Sequence, residues 1–154
     1  MVLRLLAVYV AAVLAALIAG RRWIGPISGR AALFLALTPL LVTGTAVFSG
    51  GVFAPIDISY QTDPLASERA RLGVGEPKNA VLGDVVYQEI PWRAAVRDAI
   101  RHGRAPLWNP YQLCGEPLLA MMLPAVLHPF TWIGMLLPLP QAWTLEMTLG
   151  VFLA

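Results

Sequence analysis

The sequence predicts an all-α integral membrane protein: transmembrane helices, then one large extracytoplasmic loop carrying an amphipathic helix that lies at the membrane interface. Three observations lead there. Hydrophobic residues make up 58% of the 154 and charged residues 13%, whereas a soluble domain carries about 25% charge. Two long runs have no charge, 26 residues from Ala31 to Ile56 and 29 from Pro117 to Leu145, and about 20 apolar residues suffice to span the hydrocarbon core of a bilayer. Arg21, Arg22 and Arg30 fall in one short connection that contains no acid.

The first transmembrane helix occupies residues 1–20. A basic start and an apolar stretch are also the marks of a signal peptide. Against that alternative, Leu17 stands where a cleavage site wants a small residue, and Arg21 and Arg22 form a stop. Ala12, Ala16 and Gly20 recur every four residues. That spacing permits close helix approach in lipid, although alanine is common in membrane helices anyway. The connection 21–30 is assigned to the cytoplasm, since basic residues are retained on that side. The second helix covers 31–50, with Thr38 and Pro39 inside it and Gly50-Gly51 at its end.

Residues 51–117 then form the extracytoplasmic loop, with seven basic and eight acidic residues between Gly51 and Glu116. Within it an amphipathic helix is expected at about 90–102, with Pro91 in its first turn and Gly103 past its end. Trp92, Val96, Ala99 and Ile100 would form its apolar face, and Arg93, Arg97 and Arg101 a basic stripe opposite. Such a helix suits the membrane interface. Its arginines would hold lipid phosphate, or the phosphate of a lipid-linked substrate, or would simply be solvated. Residues 118–139 are apolar but broken by Pro124, Pro129 and Pro138, the pattern of a re-entrant or interfacial broken helix. Residues 141–154 read as the start of a further transmembrane helix, and the chain as the N-terminal piece of a longer protein. Glu146 lies in that apolar segment, where an ionisable residue is a functional candidate.

Some classes are disfavoured. A net charge of +2 does not make a nucleic-acid surface. Cys114 has no disulfide partner, and with His102 and His128 it gives no zinc pattern. No cofactor is expected, and metal dependence is left open.

A series of short motifs resembles the YfhO-like bacterial membrane proteins. It comprises Phe53-Ala54-Pro55-Ile56-Asp57, Gly83-Asp84-Val85-Val86-Tyr87-Gln88-Glu89-Ile90-Pro91-Trp92-Arg93, Pro106-Leu107-Trp108-Asn109-Pro110-Tyr111, and Gly115-Glu116-Pro117-Leu118-Leu119-Ala120 with the His128-Pro129 step. The match covers roughly 52–149, and Cys114 stands where the family usually has glycine. The resemblance implies a GT-C-like glycosyltransferase fold in the bacterial plasma membrane, with a sugar passing from a polyprenyl-phosphate carrier to a cell-envelope acceptor. It implies that the later helices of the same protein complete the site. An acidic residue soon after a membrane helix is the catalytic base of that fold; Asp57 matches it, and Asp84 is the second candidate.

The chemistry asks for such groups. A carboxylate can take the acceptor hydroxyl's proton as the glycosidic bond forms, while a departing phosphate needs cations, here Arg93, Arg97 or Arg101. Gln88 would orient Asp84 or bind a sugar hydroxyl. Trp108 and Asn109 are further substrate-binding candidates, and Trp92 and Trp108 would stack on sugar or anchor at the interface. An aspartate among prolines is also a common turn or cap residue. The competing readings are a transporter or flippase-type membrane subunit and an inactive truncated fragment.

Overall fold

The computed structural model describes residues 2–154. The chain is mostly helical and folds as two units. One is built from the N-terminal part through Phe53 together with Leu127–Ala154, the other from Ala54–Val126.

In the first unit, α1 (Val2–Trp23) and α2 (Gly29–Ser49) are each long and apolar enough to cross a membrane. Helix α1 carries Arg21 and Arg22 in its last turn, where they suit the negative end of the helix dipole. Arg21 Nη2 donates to the carbonyl of Ile27 across the connection (2.9 Å). Ser28 then caps α2, its hydroxyl accepting from the Ala31 amide, and Gly50 ends the helix in the left-handed conformation (φ 72°), where glycine is unstrained. Pro39 has no N–H, so one helical hydrogen bond is missing. Around that gap Thr38 Oγ1 donates to the Phe34 carbonyl at 2.8 Å and Tyr9 of α1 donates to the Ala36 carbonyl at 2.6 Å. The tyrosine thereby fastens α1 to α2.

Two shorter helices complete this unit, α4 (Pro129–Gly134) and α5 (Leu139–Leu153). Its core consists of Leu5, Tyr9 and Val13, Val47, and Leu137, Ala142, Leu145 and Leu149. The first three recur every fourth residue, so one stripe of α1 faces the core while Leu3, Val10, Leu14 and Ile18 remain exposed. The hydroxyls of Thr43 and Thr148 lie 2.9 Å apart where α2 meets α5. The start of α5 is tied to Phe53, whose carbonyl accepts from Trp143 Nε1 (3.0 Å) and whose amide donates to Thr144 Oγ1 (3.0 Å). Gln141 is 2% exposed, and among the described residues neither end of its amide has a hydrogen-bond partner.

The segment 118–139 departs from the expected broken helix. Only α4, six residues long, and the first residue of α5 are helical there. Residues 118–128 are successive turns, with Met122 at φ 64° and Ala125 at φ 47°. These left-handed residues and Pro124 interrupt any helical repeat.

The second unit is built from short turns around one helix. A 3-10 turn, Ile56–Gln61, follows Pro55, and further 3-10 turns lie at Ala66–Glu68 and Ala80–Leu82. A π-turn, Val85–Glu89, leads into α3 (Ile90–Arg101). An α-helix would use the N–H of residue 91 to satisfy the carbonyl of Tyr87, but Pro91 has none. The side-chain amide of Gln112 donates to that carbonyl instead (3.1 Å). Beyond α3, β1 (Trp108–Asn109) pairs antiparallel with β2 (Glu116–Pro117), Trp108 opposite Pro117 and Asn109 opposite Glu116.

Candidate functional site

The eight residues read from the sequence as catalytic or substrate-binding lie in the second unit and divide into an accessible set and an internal set, whereas Glu146 lies buried in α5 of the first unit. Asp57 sits in the first turn of the 3-10 segment, half-buried. Its Oδ2 accepts the backbone N–H of Lys78 at 3.1 Å, which fixes the carboxylate and leaves acceptor capacity for a further proton or hydroxyl. Among the described residues, no ion pair engages it.

Asp84 immediately precedes the π-turn and is exposed. The helix begins early enough for Gln88 Nε2 to reach Asp84 Oδ1, at a long 3.5 Å. The two aspartates ride on elements that touch, because Tyr87 of the π-turn donates through its hydroxyl to the carbonyl of Ile58, the residue after Asp57 (3.1 Å). Ile58 itself is buried and anchors that turn.

The arginine stripe is corrected by the structure. Four residues advance about 40° around an α-helix, so Arg93, Arg97 and Arg101 spiral across the helix and do not share a line. Arg97 is 5% exposed, beside the buried Trp92 and Val96. Arg93 is half-buried, and its Nη1 donates to the Pro124 carbonyl at 2.6 Å. Only Arg101 of the three is exposed. The helix therefore presents one exposed arginine, and the other two belong to internal structure.

A buried polar cluster that the sequence reading did not assign holds the hairpin to α3. Trp92 Nε1–H is shared between Gln112 Oε1 and Glu116 Oε1, each at 2.6 Å. Asn109 Nδ2 donates to Glu116 Oε1 at 2.9 Å and lies 3.3 Å from Gln112 Oε1. Asn109 is 2% exposed, and its Oδ1 accepts the Tyr111 amide. Its side chain is thus held inside the cluster. Trp92 likewise spends its indole N–H internally. Trp108 remains exposed. Gln112 and Glu116 are the residues missed; Glu116 stood in a quoted motif, but nothing local announces contacts to residues 20 or 24 positions away.

The turn that makes these contacts runs through three left-handed residues, Leu113 (φ 49°), Cys114 (φ 60°) and Gly115 (φ 112°). A cysteine in that conformation costs roughly 1–2 kcal/mol relative to glycine.

Among the described residues, no group of three or more His, Cys, Asp or Glu side chains is placed to hold a metal ion. No family model, no curated protein and no solved structure matches this chain.

Proposed function

We propose that this chain is the N-terminal part of a membrane glycosyltransferase that moves a sugar from a polyprenyl-phosphate carrier to a cell-envelope acceptor. In this reading α1 and α2 cross a bacterial plasma membrane and residues 51–117 work on its extracytoplasmic side. Later helices of the same protein complete the site.

The observation that carries the reading is Asp57, a fixed carboxylate shortly after a helix of membrane-spanning length, with one bond to the Lys78 amide and no competing ion pair. An acceptor hydroxyl oxygen attacks the anomeric carbon while Asp57 takes its proton. The bond from that carbon to the phosphate oxygen breaks, and the polyprenyl phosphate leaves with the electron pair. Such proton removal contributes roughly 10²–10⁴-fold. The departing phosphate needs cationic stabilisation, for which Arg101 is the exposed arginine of α3. Asp84, with Gln88 beside it, serves to position the acceptor.

Membranes from cells producing the protein together with those later helices are expected to transfer a radiolabelled hexose from polyprenyl phosphate to envelope material. Transfer no greater than in membranes from cells lacking the gene would remove the reading.

A further inference from the structure

Two adjoining hollows lie against α3 in the second unit, with volumes of about 240 and 290 Å³. They share Ala95, Asp98 and Tyr111. Each is close to the lower end of small-molecule pockets, about 300–1,000 Å³. Ala94 and Ala95 contribute small side chains from the helix, Trp108 and Tyr111 line the groove from the hairpin side, and Asp98 and Arg104 supply its charges.

The ring of Trp108 is fixed without being covered, and the ring of Tyr111 stands open on a fixed backbone. The indole of Trp108 packs on the bare Cα of Gly115, where a Cβ would lie 2.5 Å from its Cζ2. Pairing with Pro117 holds its backbone, yet Trp108 is 57% exposed. Tyr111 is 77% exposed, while its amide is held by Asn109 Oδ1 at 3.1 Å. Burial of such rings is strongly favourable, so two rings held open along one groove amount to an unfilled binding surface.

The charges indicate what fills it. Arg104 Nη2 donates to Asp98 Oδ2 at 2.8 Å, and His102 Nδ1 lies 3.2 Å from Asp98 Oδ1. The carboxylate and guanidinium neutralise each other, which disfavours a phosphate. Both remain substantially exposed, with spare acceptor and donor capacity side by side. A pair of neighbouring hydroxyls matches that arrangement, one donating to Asp98 and one accepting from Arg104, while the apolar face of a sugar ring covers an aromatic ring. Insertion into lipid would instead bury the ion pair at a cost.

We infer that the groove between α3 and the Trp108–Tyr111 turn is a binding site for a neutral saccharide, the acceptor glycan in the glycosyltransferase reading on which that last assignment rests.

The test uses the whole chain in lipid nanodiscs, free of glycoside detergent, with maltose, cellobiose and lactose as probes. Saturation-transfer NMR is expected to show contact with the ring C–H protons of at least one. Tyr111→Ala and Trp108→Phe should each weaken binding several-fold, as loss of an aromatic contact does, and Asp98→Asn roughly tenfold. Binding of none of the three sugars, or unchanged binding in Tyr111→Ala with native circular dichroism, overturns the site. Quenching of Trp108 by brominated lipid, with no sugar contact, would assign the rings to the bilayer and also overturn it. Asp57-dependent transfer without saccharide binding removes the groove alone. Saccharide binding by the chain, with no transfer by the protein that carries the later helices as well, removes the transferase reading alone.

Discussion

The indole N–H of Trp92 lies 2.6 Å from a carboxylate oxygen of Glu116, and both residues are almost wholly withdrawn from solvent. This contact joins α3 to β2 across 24 residues of sequence, and Asn109 shares the same oxygen. Glu116→Leu would leave the Trp92 and Asn109 donors to compete for Gln112 Oε1 alone, at a cost of about 1–3 kcal/mol in all. Glu116→Gln keeps an acceptor and should cost less. Thermal unfolding of the chain in nanodiscs, followed by tryptophan fluorescence, checks this ranking. Equal stability of Glu116→Leu and the wild type would mean that the cluster does not hold the hairpin.

Arg97 and Arg101 look alike in the sequence and differ in the structure. Removal of the buried, partnered Arg97 by Arg97→Ala should destabilise by about 2–4 kcal/mol. Arg101→Ala, at an exposed position, should stay within about 0.5 kcal/mol. Chemical unfolding of the two variants side by side gives the comparison, and similar losses would contradict the difference in burial.

Gln141 offers a test of opposite sign. Its amide is buried with no hydrogen-bond partner at either end among the described residues, which costs about 1–3 kcal/mol. Gln141→Met has a similar shape and no such requirement, so it should raise stability by about 1 kcal/mol. A drop in the melting temperature would show that the amide finds a partner in the intact protein.

The proposed membrane topology is open to labelling from outside the cell. Ser28 caps α2 and is best left intact, whereas Ile24 is exposed in the connection and Ser67 is exposed in the loop. In a Cys114→Ser background, an impermeant thiol reagent applied to intact cells should label Ser67→Cys and spare Ile24→Cys. The reverse pattern would invert the orientation.

What the sequence made legible was whatever depends on local periodicity. The charge-free run from Ala31 predicts α2, and Pro91 with Gly103 brackets α3 because backbone chemistry at those two residues acts locally. Gln141–Ala154 reads as helical for the same reason, and α5 covers Leu139–Leu153. The candidate site was less legible. Asp57 and Asp84 stand on touching turns only because Tyr87 reaches Ile58, 29 residues earlier. Asn109 turns inward within a hairpin whose three left-handed residues no hydrophobic pattern reveals. The same applies to residues 118–128, where proline and backbone conformation replace an apolar helix with turns.

The central claim is that Asp57 removes the acceptor proton during sugar transfer. Asn in place of Asp keeps the size and still accepts the Lys78 amide bond, but it is no longer a base. Transfer of labelled hexose from polyprenyl phosphate should therefore fall by roughly 10²–10⁴-fold in Asp57→Asn, with protein level and carrier binding retained. Asp84→Asn should fall less, as a positioning residue would. Transfer at the wild-type rate in Asp57→Asn would contradict the account, and a larger loss in Asp84→Asn would move the base to Asp84.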